Sequence, residues 1–194
     1  GTIMKTVIGL FDSYSEAESA ARDLVSTGFS RDHLSLLASD AAGEWSRYQA
    51  STVEGAELTS EEIGSGVGTG TVVGGLGGLF AGLGMFAIPG IGPVAAAGAI
   101  ATTLLGAGMG AAAGGLKAAI DELGVPKDQT GYYAEAVRRG GILVSVRAPE
   151  EQVDAATAIM ERRHAMDIDE RAAEWRAGGW TQFDETAEPY SKDE

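Results

Sequence analysis

Few side chains in this 194-residue sequence are of the types that catalyse reactions or hold metal ions. There is no cysteine, which excludes disulfides, thiolate metal sites and cysteine nucleophiles together. The two histidines, His33 and His164, each fall close to a predicted helix-to-strand junction, which is typical of surface histidines rather than metal ligands. No stretch assembles a nucleophile with a base and an orienting group. We therefore predict a protein that is not an enzyme, with no catalytic, cofactor-binding or metal-binding residues and no cofactor.

An acidic cluster, Asp167, Asp169 and Glu170, supplies the oxygen ligands that a divalent cation prefers. The same stretch alternates in the manner of a final, edge-like strand over residues 166–169. Acidic residues on an edge strand commonly serve to prevent edge-to-edge aggregation. We favour this second interpretation of the cluster.

Glycine-rich runs invite comparison with nucleotide-binding loops. Gly110 to Lys117 resembles a phosphate-binding loop, but Leu116 stands where the lysine belongs and no predicted strand precedes it. Gly82-x-Gly84-x-x-Ala87 and Gly106-x-Gly108-x-x-Ala111 match the loose dinucleotide pattern. Both fall inside predicted helices and not at a strand-to-helix turn, so the sequence argues against a nucleotide site.

Residues 63–116, the uncharged block, contain no charged side chain, although about a quarter of the residues in an ordinary chain are charged. Small residues recur there every four positions on both sides of Ile88 to Pro93. Such a stripe lets a second helix approach closely. The pattern predicts a glycine-rich α-helical hairpin with arms over 64–86 and 94–120. The predicted helix-packing and oligomerisation residues are Gly66, Gly70, Gly74, Gly78, Gly82, Gly98, Thr102, Gly106, Gly110 and Gly114.

The sequence leaves open what surrounds this hairpin. Each arm would be about 30 Å or longer, which matches the hydrocarbon thickness of a bilayer, so residues 64–116 are a candidate lipid contact. Glycine and alanine contribute little to membrane insertion, however, and each arm alone is a marginal span. The first alternative is that hairpins of several subunits pack into an apolar bundle enclosed by protein. The second is a collapsed pair of helices within one chain.

The regions that flank the uncharged block are both acidic. Residues 1–62 hold 4 basic and 11 acidic residues and residues 117–194 hold 10 and 17, so each sums to −7 and the chain to −14. Nucleic-acid affinity comes mostly from basic side chains that face phosphates, so we expect no nucleic-acid partner and instead expect a homo-oligomer. The absence of cysteine and of a signal-like start favours a cytoplasmic location or the cytoplasmic face of the inner membrane.

The first charged region predicts a β-α-β unit. Strand formers occupy residues 6–11, and a second strand is expected over 33–37. Between them, Ser15 with Glu18 three residues later fits a helical capping box. Gly28 is placed to end that helix.

The second charged region repeats this order. A helix over 128–139 leads into a strand over 141–147, and Pro149 suits the first turn of the following helix. With the edge strand at 166–169, this gives a second β-α-β half. Two such halves are the components of a ferredoxin-like sheet with two helices on one face.

The predicted fold is therefore α+β: a ferredoxin-like βαβ + βαβ domain split by the glycine-rich helical hairpin. Aromatic residues of the tail, among them Trp175 and Trp180, are expected to pack on their own domain or on a neighbouring chain. The expected organisation is 1–62 for the first half and an acidic linker, 63–120 for the hairpin, 121–170 for the connecting helix and second half, and 171–194 for the tail.

Three stretches of the charged regions resemble the bacterial general stress (heat-induced stress) protein family. They are Thr6 to Asp12 followed by Glu16-Ala17, Tyr132 to Val146, and Asp167 to Arg171 with Trp175-Arg176 and Gly179-Trp180. The uncharged block resembles the glycine-zipper hairpins found within some of these proteins. The resemblance implies bacterial origin and stress induction but no established activity, so it implies no catalytic residues.

From the sequence we expect a non-enzymatic bacterial stress-response protein that anchors in a membrane or self-assembles through its apolar glycine-zipper hairpin. The alternative is a soluble homo-oligomer that buries the hairpins and carries a small ligand. The sequence names neither the ligand nor the number of subunits.

Overall fold

Apolar runs of strand-forming residues alternate with amphipathic helices along this chain, and they fold into a mixed α+β structure. The computed structural model describes residues 3–39, 84–88, 92–98, 100, 117, 120–121 and 123–183. Within these ranges the elements are β1 (Met4–Phe11), α1 (Tyr14–Thr27), β2 (Leu34–Ser39), β3 (Gly84–Ile88), β4 (Gly92–Ala97), α2 (Thr130–Arg138), β5 (Ile142–Pro149), α3 (Val153–Arg162) and α4 (Ile168–Ala177).

The five described strands form one sheet in the order β1-β5-β2-β4-β3, and every neighbouring pair is antiparallel. β5 lies in the interior of the sheet, where Val144 pairs with Gly9 of β1 on one side and with Leu36 of β2 on the other. β1 and β2 therefore run parallel to each other on either side of β5. The chain segment that connects them contains α1, as a crossover between parallel strands requires.

Helices cover both faces of this sheet, which explains why β5 is an almost continuous apolar run rather than an alternating one. One face packs against α1 and α3. Its core includes fully buried Phe11, Leu24, Leu34, Leu36 and Ile142, together with Ile159 and Met160. Gly9 lies under α3, since a Cβ at this position would come within 2.8 Å of the Met160 sulfur.

The opposite face packs against α2 and α4. Its core includes Leu10, Leu37, Ile120, Tyr133, Val137, Leu143, Ile168 and Phe183, with Trp175 and Trp180 packed against it. Of the two alternatives expected for the tail aromatics, Trp175, Trp180 and Phe183 show the first, packing on their own domain. Tyr190 lies outside the described residues.

Helix α1 begins and ends at capping residues. The Ser13 hydroxyl accepts a hydrogen bond from the Glu16 amide at 3.2 Å, so the cap predicted at Ser15 lies two residues earlier. Gly28 ends the helix in the left-handed conformation, with φ of 117°, as predicted. Helix α2, β5 and α3 also form where the sequence predicts a helix, a strand and a helix.

The predicted edge strand over 166–169 is wrong. Met166 makes a single bridge to the outer side of β1, its amide donating to the Leu10 carbonyl at 2.8 Å. The Asp167 carboxylate then accepts the amides of Asp169 at 2.8 Å and Glu170 at 3.1 Å. These bonds cap the start of α4, which crosses the boundary expected at residue 170.

The predicted helical arms over 64–86 and 94–120 need correction where they meet. Residues 84–88 and 92–97 are paired antiparallel strands, so the two stretches that flank residues 89–91 are strands instead of helices. The reason is tertiary, because β4 pairs with the edge of β2 and Val94 to Ala97 become fully buried. Ile100, Lys117, Ile120 and Asp121 are helical.

Candidate functional site

Strand β3 is the feature that places the uncharged block at the boundary of the described fold. It pairs with β4 along its whole length, from Gly84 opposite Ala96 to Ile88 opposite Gly92. No described strand pairs with its other side. We call this outer side of β3, residues 84–88, the uncharged edge. An edge strand presents a row of backbone N–H and C=O groups that a further strand can pair with.

Gly98 fixes the hairpin to the rest of the sheet. It follows β4 with φ of +75°, and a Cβ there would lie 2.2 Å from the Leu34 carbonyl oxygen and 2.8 Å from Ser35 Oγ. Only glycine fits so close to the backbone of β2. Gly98 is therefore a turn residue against β2 and is not part of a described helix, while its predicted role in helix packing and oligomerisation stays a prediction.

The other predicted helix-packing residues lie outside the described residues, and their role stays the one that their four-residue spacing predicts. They are Gly66, Gly70, Gly74, Gly78, Gly82, Thr102, Gly106, Gly110 and Gly114.

A second candidate site is a small cavity between β1, α2 and α4, which we call the arginine pocket. Its volume is about 70 Å³. All three stretches that carry the family resemblance contribute to it, although they are far apart in the sequence. Its lining residues are Leu10, Asp12, Ala136, Arg139, Gly141, Met166, Arg171 and Trp175.

The two guanidinium groups of the arginine pocket both bind carboxylates of the chain. Arg171 donates from Nη2 to Asp12 Oδ2 at 2.9 Å and also contacts the Met166 sulfur. Arg139 donates from Nε to Glu135 Oε1 at 2.8 Å. Its guanidinium carbon also lies 5.1 Å from the centre of the Trp175 ring, within the range of a cation–π contact.

This arrangement is better suited to joining elements than to chemistry. Arg171 and Asp12 join the start of α4 to the end of β1, while Arg139 joins the end of α2 to Trp175 of α4. The pocket lining holds no pairing of a nucleophile with a base. Because its charges are matched within the chain, the pocket offers no strong field for a charged ligand.

Aromatic contacts continue from the arginine pocket into the tail. Trp180 meets Trp175 edge to face at 5.6 Å between ring centres and meets Tyr132 at 5.9 Å. Arg176 lies over the Tyr132 ring at 4.7 Å. Contacts of this kind stabilise the structure beyond what burial of the ring area contributes, so they hold the residues after α4 against α2.

The C-terminal ends of α1 and α3 meet at an open, polar groove of about 480 Å³. Arg163 donates two hydrogen bonds to Asp23, from Nε to Oδ2 at 2.7 Å and from Nη2 to Oδ1 at 3.2 Å. This hydrogen-bonded pair lowers the pKa of the Asp23 carboxyl and raises that of the Arg163 guanidinium. Arg162 and Arg163 lie at the end of α3, a position at which positive charge favours the helix dipole.

The remaining candidates for chemistry are dispersed. His33 is exposed before β2, and His164 is exposed after α3 with φ of 69°. The acidic cluster at Asp167 caps a helix, and among the described residues no group of His, Asp and Glu has the geometry of a metal site. Gly84 and Ala87 lie in a strand, which does not fit the dinucleotide pattern. No described helix has the length and apolarity required to traverse a bilayer.

Tyr133, 9% exposed under the sheet, gives the fold a sensitivity to alkaline pH. Burial, helped by Asp169 and Asp167, raises its pKa from 10.0 to about 12. The unfolded chain thus loses the phenolic proton first, and stability present below pH 10 is lost as the pH rises toward 12. We expect this to cost wild type roughly 2 kcal/mol relative to Tyr133→Phe. Urea unfolding of wild type and Tyr133→Phe between pH 8 and 12 measures this loss. A difference in unfolding free energy that stays constant over this pH range would contradict the prediction.

Sequence reasoning missed three of these features. The signal for the cap at Asp167 is present, because Asp167 and Glu170 have capping-box spacing. The uncharged edge had a weaker signal in Phe86 and Ile88, strand formers next to a Pro-Gly turn. No local signal brings Arg139 to Trp175.

Comparison with known proteins finds no matching family model, no similar curated protein and no similar solved structure. The resemblance to the general stress proteins therefore stays a prediction based on the three sequence stretches.

Proposed function

We propose that this chain is a non-enzymatic, self-assembling protein of the bacterial stress response, and that its copies meet through the uncharged block. The observation that carries the proposal is the position of β3. This strand comes from the uncharged block and is the outermost strand of the described sheet. Part of the uncharged block therefore forms the edge of the described sheet.

Charge supports the same conclusion. Two copies that each carry −14 repel each other, and the acidic regions before and after the uncharged block contribute −7 apiece. Within the block there is no charge to repel, so contact there costs least electrostatic energy. Raising the salt concentration shortens the Debye length to about 8 Å at 0.15 M and weakens the remaining repulsion. Assembly should therefore strengthen with salt.

The proposal includes a finer description of the fold. β1, β5 and β2 with α1 and α3 on one face would form a ferredoxin-like arrangement, in which Met166 occupies the place of the fourth strand beside β1. The order β1-β5-β2 and the bridge from Met166 to Leu10 support it. The β3–β4 hairpin then extends this arrangement beyond β2.

The alternative roles have less support. A small-ligand carrier needs a cavity larger than the arginine pocket, which holds about 70 Å³ and whose guanidinium groups already bind Asp12 and Glu135. For membrane anchoring through residues 64–116, the stretches 84–88 and 92–97 are strands of the sheet and so are not part of a membrane-spanning helix. We therefore propose that copies of the chain assemble in the cytoplasm. Association of the chain with lipid would overturn this proposal.

Native mass spectrometry of protein purified without detergent tests the proposal. We expect a defined soluble oligomer that dissociates in Gly74→Leu and Gly110→Leu but persists in Leu83→Ile, which changes a side chain off the glycine stripes. A close helix crossing cannot accept leucine at the glycine positions. A wild-type monomer at tens of micromolar protein, or a chain that stays in the membrane pellet after a high-salt wash, would overturn self-assembly.

A further inference from the structure

We infer that the uncharged edge pairs with the same edge of a second copy, antiparallel across a two-fold axis. Two five-stranded sheets would thereby become one continuous sheet. The inference rests on the proposed function, because it assumes that the chain self-assembles. It adds the surface, the partner and the symmetry of the contact.

The backbone of β3 is suited to this pairing. Its five residues, Gly84-Met85-Phe86-Ala87-Ile88, pair with β4 in unbroken register, with no bulge to twist the edge away. The strand itself contains no proline and no charged residue, which are the usual devices that prevent edge-to-edge pairing. Its outer N–H and C=O groups have no partner strand among the described residues.

The opposite edge of the sheet shows what a protected edge looks like in this chain. β1 carries Lys5, which is 51% exposed and binds Glu150 at 2.8 Å. The far end of β1 is bridged by Met166, whose amide binds the Leu10 carbonyl. A charge and a covering segment thus obstruct β1, and β3 has neither among the described residues.

The absence of charge favours a second copy over a charged partner as the occupant. The charged residues nearest to β3 in sequence are Glu62 on one side and Lys117 on the other. A charged partner would therefore find no opposite charge on this strand, whereas an uncharged strand of a second copy meets no repulsion there. A two-fold contact is also self-complementary by construction, since each copy presents the same surface.

Two-fold symmetry makes the contact antiparallel, and the middle of the strand gives the register to be tested. A two-fold axis perpendicular to the sheet makes the two β3 strands antiparallel, and with the axis at the middle residue Phe86 faces Phe86 of the second copy. Met85 then faces Ala87. Directly opposed residues lie about 4.5–5.5 Å apart at Cα, whereas Met85 of one copy and Met85 of the other lie about 8 Å apart by the strand rise.

The absence of cysteine allows a direct test. Single variants Met85→Cys, Phe86→Cys and Ala87→Cys, along with exposed Ser26→Cys on α1 as control, are oxidised and run on a non-reducing gel. A disulfide needs Cα atoms within about 7 Å. We expect Phe86→Cys to cross-link at least tenfold faster than the other three. A mixture of Met85→Cys and Ala87→Cys should form mixed dimers.

A second variant covers the case in which a cysteine disturbs folding. Ala87→Lys adds a charge to the edge, and we expect its dimer dissociation constant to rise at least tenfold while its circular dichroism stays that of wild type. An oligomer that neither cross-links within 85–87 nor responds to Ala87→Lys would overturn the edge pairing and leave self-assembly standing. A wild-type monomer would overturn both.

Discussion

The Gly98→Ala variant is expected to lose about 2–5 kcal/mol of unfolding free energy, together with the docking of the β3–β4 hairpin. Two costs add at this position. A left-handed φ of +75° costs an alanine about 1–2 kcal/mol. The new methyl group would also lie 2.2 Å from the Leu34 carbonyl oxygen, and overpacking of this kind costs about 1–3 kcal/mol because backbone must move.

Gly28→Ala is the matched control for this prediction. Gly28 also has a left-handed φ, at +117°, but nothing lies within 4 Å of the Cβ that alanine would add. It therefore has the backbone strain without the collision, and we expect a loss of about 1–2 kcal/mol. The difference between the two variants isolates the contact between Gly98 and β2.

Urea unfolding gives the two free energies, and amide hydrogen exchange locates the damage. We expect faster exchange of β2 and β4 amides in Gly98→Ala, with little change in β1, because the collision falls on Leu34 and Ser35 of β2, next to the β2–β4 ladder. If Gly98→Ala proves no less stable than Gly28→Ala, the hairpin is not docked against Leu34 as described. An edge strand so displaced would also pair poorly with a second copy, so oligomerisation should weaken in the same variant.

The sequence predicts the elements whose patterns are local. The apolar run of β5 and the stop at Gly28 each depend on residues close together in the chain, and each prediction is confirmed. Even the separation of β3 from β4 coincides with the Pro-Gly pair at residues 89–90. Such features need no knowledge of what packs against them.

The strands of the hairpin are different because their partner is distant. Val94 to Ala97 is a short run of valine and alanine that suits a helix as well as a strand. It becomes a strand by pairing with Leu36 to Ser39, about sixty residues earlier in the chain. The four-residue glycine spacing around it favours a helix locally, but pairing with the edge of β2 outweighs that preference. Periodicity contains no information about such an edge.

The arginine pocket is beyond sequence reasoning for the same reason. Asp12, Arg139 and Trp175 come from three separate stretches, and only the sheet order brings them together. Their residue types suggest ion pairs with near neighbours, whereas Arg171 binds Asp12 across 159 positions. The sequence thus identifies the segments that meet but not the contacts that they make.

Glu135 is expected to be the most sensitive charged residue among those described. It is 2% exposed, and its Oε1 accepts hydrogen bonds from Arg139 Nε at 2.8 Å and Arg138 Nη1 at 3.3 Å. Glu135→Gln keeps the shape of the side chain but removes the charge that holds the two guanidinium groups together. Breaking a buried pair in this way costs about 3–5 kcal/mol. We expect about 3 kcal/mol, the low end, because Arg139 is 29% exposed and recovers some hydration.

Glu150→Gln provides the control, since it removes the same charge from an exposed pair with Lys5. Exposed pairs of this kind contribute little, so we expect no measurable change in stability. Tryptophan fluorescence adds a local readout, because release of Arg139 from Glu135 should alter its contact with Trp175 and shift the emission in Glu135→Gln alone.

A double-mutant cycle decides why Glu135 matters. If the cost of Glu135→Gln comes from guanidinium groups left without their carboxylate, then adding Arg139→Gln removes one of those groups and relieves part of the loss. The double variant should then lose less unfolding free energy than the sum of the two single losses, by at least about 1 kcal/mol. A coupling of this size is typical of residues in direct contact. Losses that simply add would mean that Glu135 and Arg139 stabilise the fold separately. In that case the junction of α2 with α4 depends on the packing of Trp175 rather than on this ion pair.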